Sequence, residues 1–308
     1  MSNALEIYIL NVGQADTAVI RTPNNKLIVI DAVKPRKVKA LLQALQPDRP
    51  KIKHLILTHP HWDHYAGVSS LLSTFPVERV TLAPFWYLPG TSGYHQIINR
   101  IQEAEIPLNF LSGYDRFYPD GGTYPAYENQ PYVELLGPPN NTLADLYESQ
   151  LLTPNHLCII TRVTYGAFSI VLAADAQMEN WAHYDREGML AQRCDVLKAA
   201  HHGSRNGIQW ERLERLSPSL VVVSSDPEMG HHLPDVIGSV IFLEYDRETG
   251  KRVALTRDTG TIKLAVSSPS SGRYTAMAFG EGADDEVLVG AEVPLATSDW
   301  AGITSGKL

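Results

Sequence analysis

Thr58-His-Pro-His-Trp-Asp-His-Tyr-Ala-Gly67 places His59, His61, Asp63 and His64 within six residues, directly behind the apolar run Leu55-Ile-Leu57. Imidazole and carboxylate are the donor types of zinc, manganese and iron sites, so roughly three to five further ligands are expected downstream. Ile52–Thr58 reads as a strand and Ala66–Thr74 as the helix after it. Strand, ligand loop, helix is the order expected of an α/β site, because loops beyond the carboxyl ends of strands can converge without disturbing the core.

Upstream, strand-length apolar segments recur at 5–11, 17–22 and 26–31, the last two separated by the turn Pro23-Asn-Asn25. Asp31 ends the third. Lys34–Leu45 then reads as a helix with Val38, Leu41, Leu42 and Leu45 at core spacing. Its first turn, Lys34-Pro-Arg-Lys37, is basic, and positive charge at a helix start opposes the macrodipole. A solvated helix face and an anion-attracting rim beside the metal loop are the two readings; on the second, Lys34 contacts substrate.

Downstream, residues 84–130 gather Pro, Gly and aromatics in Pro84-Phe-Trp-Tyr87 and Tyr114 to Tyr127, around a helix near Tyr94 to Glu105. This segment is read either as a substrate-stacking wall over the site or as surface loop packed by its own aromatics. Strands follow near 132–136, 157–163 and 168–173, a helix near 177–190, a strand at 195–200, a helix near 208–216 and a strand at 219–224. A helix at 235–245 and short strands at Arg252–Thr256 and Gly260–Leu264 close a domain spanning 1–267. Two rounds of strands and helices predict two sheets packed face to face with helices outside. After about residue 267 the composition turns to Ser, Gly, Ala and acidic residues with one strand-like Glu286-Val-Leu-Val289, so 268–308 is read as an appendage.

The chain has 308 residues, ample for a large core, and a formal charge of -8, with sequence pI near 5.8. That balance argues against coating long nucleic acid through a broad basic face, though not against cleaving one phosphodiester, because bound divalent ions are absent from the count. The apolar runs are strand-length, so no membrane span is expected. Leu5–Leu10 follows the N terminus without a basic region and apolar core, so no secretory signal is read and the cytoplasm is the expected location. Cys158 and Cys194 lack a CxxC pattern and are assigned no chemistry. The oligomeric state is left open.

The missing ligands are found in three further clusters: Asn155-His156, Asp175 behind the apolar Ser169–Ala174, and Ala200-His-His-Gly-Ser204 behind Val196–Ala200. All sit at strand termini. Ligands so far apart in sequence meet only if their strands end on one edge of the fold.

This order, HxHxDH, then His, Asp and HHGS, resembles the metallo-β-lactamase fold superfamily. Asn11-Val-Gly-Gln-Ala-Asp16 resembles the NVGQGD opening of the hydrolase-like domain of ComEC/Rec2 competence proteins. Val196–Ser204 is similar to its LKVGHHGS segment, Gly230-His231 to its GHP and Thr256–Ile262 to its TDxxGTI. The likeness covers 5–265. It implies a four-layer αββα sandwich of two mixed sheets and two divalent ions, zinc or manganese. It implies that His59, His61 and His156 hold the first ion and that Asp63, His64 and one of His201 and His202 hold the second, with Asp175 bridging. The other member of the histidine pair would lie behind the ligands or contact phosphate. His231 would face substrate as proton donor or phosphate contact. Gly203 would let backbone approach substrate, and Ser204 would offer a hydroxyl to a phosphate oxygen. Asp31 and Asp16 are candidates for orienting ligand histidines, with bonding to nearby backbone amides the competing role for Asp16.

Ala15, Val33 and His232 depart from the family pattern without removing a ligand, and His156 stands where ComEC-like chains often carry a second asparagine. The competence proteins carry this domain on a membrane channel; DNA transport is not expected of the domain. The implied function is a phosphodiesterase or nuclease acting on DNA, RNA or a nucleotide through a metal-bridging hydroxide. The alternatives are hydrolysis of a lactone, thioester or β-lactam, and a non-catalytic binding module that keeps the fold.

Overall fold

The structure is a computed structural model describing residues 4–84, 88, 90–122, 130–186, 193–226, 228, 232–286, 288 and 293–295. The chain opens as the antiparallel meander β1 (Leu5–Ile9), β2 (Ala18–Arg21) and β3 (Leu27–Ile30). Helix α1 (Pro35–Leu45) leads to β4 (Ile52–Leu57), parallel to β3, and α2 (Trp62–Tyr65) and α3 (Val68–Leu72) follow. Then come β5 (Val80–Leu82), α4 (Ser92–Glu103) and β6 (Leu108–Phe110), which extend the parallel half of the sheet. The chain crosses to a second sheet through β7 (Tyr114–Phe117), β8 (Tyr132–Leu136), α5 (Asn140–Glu148), β9 (Ile160–Tyr165) and β10 (Phe168–Leu172), whose strands pair antiparallel. Helices α6 (Met178–Arg186), α7 (Trp210–Leu216) and α8 (Val236–Thr249) alternate with the parallel strands β11 (Val196–Lys198), β12 (Leu220–Val223) and β13 (Arg252–Leu255). A short helix α9 (Thr256–Thr259) returns the chain to β14 (Ile262–Val266), which pairs with β1, and β15 (Thr275–Ala278) and β16 (Val293–Pro294) complete the first sheet.

Among the described residues the sheets run β16-β15-β14-β1-β2-β3-β4-β5-β6 and β13-β12-β11-β10-β9-β8-β7. Alternation along each strand builds the layers, because successive side chains point to opposite faces. Leu5, Ile7 and Ile9 of β1 meet Phe168, Ile170 and Leu172 of β10 in the core between the sheets. On the first sheet's outer face, Val29, Leu55 and Leu57 pack under Val38, Leu41, Leu71, Ile97 and Ile101 from α1, α3 and α4. Val171, Leu197, Val221 and Val223 pack likewise under Trp181, Leu213 and Phe242 from α6, α7 and α8. The result is the expected four-layer sandwich of two mixed sheets with helices outside.

Two local expectations change. The helix read from Ala66 begins inside the ligand loop and breaks at Gly67, whose N–H donates to Ala32 O at 2.7 Å. A Cβ there would meet Ala32 O at 3.0 Å and Pro35 Cβ at 3.2 Å, so glycine lets this turn pack against the start of α1. Residues 84–130 hold β6, β7 and the core-facing helix α4 in addition to loop, whereas Phe85, Trp86, Tyr87, Tyr124 and Tyr127 of the aromatic wall lie outside the described residues. The acidic segment begins where β14 ends, and its described part adds β15 and β16 to that edge. No helix among the described residues is long and apolar enough to cross a membrane.

Candidate metal centre

The carboxyl ends of β3, β4, β10, β11 and β12 all open on one edge of the sandwich, and from them project Asp31, the His59–His64 loop, Asp175, the histidine pair and Ser224. Backbone hydrogen bonds tie these loops together: Asp16 N–H donates to Asp63 O at 3.2 Å, Ala32 N–H to His64 O at 2.7 Å, Ile159 N–H to Thr58 O at 2.9 Å and His201 N–H to Ala174 O at 2.8 Å.

Two groups of donors result, and Asp175 belongs to both. Asp63, His64, Asp175 and His202 bring one donor atom each within 4.8 Å of one another, as do His59, His61 and Asp175. Asp175 turns a different oxygen to each group. Its Oδ1 lies 3.4 Å from both His64 Nε2 and His202 Nε2, and its Oδ2 lies 3.7 Å from His59 Nε2. His202 Nε2 is 3.8 Å from Asp63 Oδ2, and His59 Nε2 is 3.1 Å from His61 Nδ1.

The far nitrogens are held from behind. Asp31 Oδ2 lies 2.7 Å from His64 Nδ1, and the same carboxylate accepts from the N–H and hydroxyl of Thr58 at 2.9 and 2.7 Å. His202 Nδ1–H donates to Ser224 O at 2.7 Å. These contacts fix which imidazole nitrogen faces inward, as ligand histidines require. Thr58 and Ser224 carried no signal in the sequence beyond their place at strand ends.

The donor set fits divalent cations on two counts. His64 Nε2, His202 Nε2 and Asp175 Oδ1 are buried with no hydrogen-bond partner among the described residues, a costly state for polar atoms unless something binds them. The electrostatics also favour positive charge around Asp63, His64, Asp175 and His202. Burial opposes protonation of His64, yet Asp175 and Asp31 raise its pKa well above the ordinary imidazole value. Burial likewise opposes charge on His202, which Asp175 and Asp16 push upward. Burial acts to raise Asp175, but His202, His64 and His59 hold it well below the usual carboxylate range. Burial also acts to raise Asp63, and His202 and His64 pull it down. Burial drives His59 well below its ordinary value, and lowers His61 and His201 as well.

Other residues singled out in the sequence are arranged differently. His156, expected on the first ion, turns away. It closes the short helical turn Pro154–Leu157, where its Nδ1 accepts the Thr153 N–H at 3.0 Å and its Nε2 lies 3.5 Å from Glu179 Oε2 on α6. Its neighbour Asn155 faces the site instead, with Nδ2 3.3 Å from His201 Nε2 and a buried Oδ1 that has no partner among the described residues. Of the histidine pair, His202 joins a donor group. His201 stands at the rim with Nε2 3.9 Å from Asp175 Oδ2 and its side chain 21% exposed. His201, His202 and Gly203 all have positive φ, 49°, 53° and 81°, and this turn separates the two rings.

Lys34 does not face the donor groups. It pairs with Asp284, as Arg36 does with Glu286, and the buried Lys37 Nζ lies 3.3 Å from Glu281 Oε1. The basic turn is neutralised by the acidic segment 250 residues away, a partnership that local sequence cannot specify. Gly203 packs closely against α8: a Cβ there would meet Phe242 Cε2 and Pro234 Cβ at 2.8 Å. Ser204 is buried, and its Oγ accepts from Asn206 N–H at 3.4 Å. Asp16 pairs with Lys198 rather than with a nearby amide. His231 lies outside the described residues.

A sequence profile of the metallo-beta-lactamase superfamily matches residues 10–225. Recombination protein 2 of Haemophilus influenzae is 26% identical over 227 residues, 71% of this chain and 24% of that protein. The uncharacterized protein YobT of Bacillus subtilis is 34% identical over 59 residues, 19% of this chain and 25% of that protein. The matches thus span about a quarter of the length of these curated relatives. Among solved structures, the diiron beta-hydroxylase CmlA from Streptomyces venezuelae is similar with a TM-score of 0.54 at 14% identity, over 86% of this chain and 55% of that one. At that identity the likeness concerns the fold alone.

Proposed function

The chain belongs to the metallo-beta-lactamase superfamily, and from that premise we propose that it is a metal-dependent phosphodiesterase that cleaves DNA, RNA or a nucleotide with zinc or manganese. The observation that carries the reading is Asp175, which offers one carboxylate oxygen to each of two donor groups. Divalent ions in those groups would supply Lewis-acid activation of water and of a phosphoryl oxygen.

The chain's own residues then have separate roles. His59 and His61 form one arm of the site, and Asp63, His64 and His202 form the other. Asp31 and the Ser224 carbonyl hold His64 and His202 with Nε2 inward. His201, partly open beside Asp175, is assigned to the substrate, and Asn155 orients it. His231 is assigned to leaving-group protonation on its motif. A phosphodiester is favoured over a carboxylic derivative on two grounds. Pro154-Asn-His-Leu-Cys158 lacks the GHTPG-like loop of lactonases and thioesterases, and similarity extends over 71% of this chain to a protein named for recombination.

The test is turnover of bis-p-nitrophenyl phosphate and short single-stranded DNA by protein reconstituted with manganese or zinc. Asp175→Ala is expected to abolish it while the circular dichroism spectrum stays unchanged. Turnover of lactones or thioesters without phosphodiester cleavage would overturn the proposal, and metal-loaded protein inert to both would point to a binding module.

A further inference from the structure

The ligand arrangement leaves unused a second charged pair beneath it. Lys198, 3% exposed, ends β11 three residues before His201. Its Nζ donates to Asp16 Oδ2 and, at 3.4 Å, to Ala174 O, next in the chain to Asp175. Asp16 Oδ1 is buried, has no hydrogen-bond partner among the described residues, and lies 3.9 Å from His202 Nδ1. That nitrogen already donates to Ser224 O. The pair lines an internal hollow with Asp31, Thr58, Ala174 and Ser224, between the sheets and under the donor groups.

A buried ammonium behind a cation site is electrostatically perverse. In a weakly screened interior it repels any cation held by His202 and Asp175. A free carboxylate at the same place would also change the site, because it would compete with Ser224 O for the His202 Nδ1–H and make that imidazole a more basic ligand, as Asp31 does for His64. The contact between Asp16 and Lys198 holds both effects in check.

We infer that Asp16 and Lys198 are a charge-balancing pair of positioning residues for the metal centre: Asp16 masks the Lys198 ammonium from the cation, and Lys198 keeps Asp16 from capturing His202. The inference rests on reading Asp63, His64, Asp175 and His202 as a cation's ligands. It predicts effects of opposite sign from two substitutions in one contact, which a merely structural pair does not produce. Asp16→Asn exposes the ammonium to the site and weakens zinc binding about 10–100-fold, the range of other partners placed behind metal ligands. Lys198→Met removes the repelling charge, frees the carboxylate and tightens zinc binding. The double substitution, neutral at both positions, returns binding to near the wild-type value.

The experiment titrates metal-free protein with zinc against a chromophoric chelator, with folding checked by circular dichroism and thermal melting. Should Asp16→Asn fail to fold, Lys198→Met and the double variant carry the test. Wild-type protein that takes up no zinc overturns the ligand reading and the inference with it. Wild-type protein that takes up zinc, alongside unchanged or weaker binding by Lys198→Met, unchanged binding by Asp16→Asn, or a double variant no tighter than Asp16→Asn, overturns the inference alone.

Discussion

Gly238→Ala sets helix propensity against packing at the site's support. Gly238 lies in the first turn of α8, and its N–H donates to the capping carboxylate of Asp235 at 2.9 Å. In an isolated helix alanine would gain about 1 kcal/mol over glycine. Here an added Cβ would sit 1.9 Å from Gly203 O, short of ordinary contact, 3.4 Å, by about 1.5 Å. The obstacle is backbone and cannot rotate away. Nor can the turn retreat freely, because His201 N–H donates to Ala174 O at 2.8 Å and His202 Nδ1–H to Ser224 O at 2.7 Å. Overpacking of this kind costs about 1–3 kcal/mol, and contact with backbone places it at the upper end, so a net loss of about 2 kcal/mol is expected. Whatever strain is relieved by motion moves the turn that carries His201 and His202, so zinc affinity falls with stability. Urea denaturation of the metal-free protein and a zinc titration measure the two effects. Val240→Ala, at a position 40% exposed on the same helix, is the control and stays within about 0.5 kcal/mol of the wild type. A Gly238→Ala protein as stable as the wild type, with unchanged zinc affinity, would refute the claim that this glycine contact holds the histidine turn in place.

Two further outcomes follow from the charges. His64 has its pKa raised above 6.5 by Asp175 and Asp31 against burial, so in metal-free protein its contribution to stability is fully present below 6.5 and is lost as pH rises through the folded value. Zinc needs the neutral ring, so over the same rise binding tightens, and near neutral pH it expels protons; calorimetry in buffers of different ionisation enthalpy that detects no proton release would contradict this. Glu281→Gln leaves the Lys37 ammonium buried and weakens the bond that Thr261 N–H makes to Glu281 Oε1 at 2.8 Å. A loss of about 3–5 kcal/mol in urea denaturation is expected, partly recovered by adding Lys37→Met, and a cost below about 1 kcal/mol would show that the clasp contributes little.

The sequence by itself determined the kinds of donor and their neighbourhood. Ligand-type residues stand directly behind apolar runs, and alternation within those runs dictates which side chains fill the space between the sheets, so His59–His64, Asp175 and His201–His202 were legible as one edge of a sandwich. Short polar edge strands such as Leu108–Phe110 and Tyr114–Phe117 were not, because they bury too little to show a period. Only the tertiary structure decided between neighbours. His201 and His202 offer equivalent chemistry in sequence, and Asn155 and His156 stand side by side, so the imidazole is the natural choice there. Which one faces the site depends on a turn's dihedral angles, and those are set by contacts to Thr153, Glu179, Phe242 and Pro234. The charged partners were equally hidden. Lys198 finds Asp16 across 182 residues and Lys34 finds Asp284 across 250. Charge acts through space, so the field around the donor groups becomes readable only once the sheets have closed.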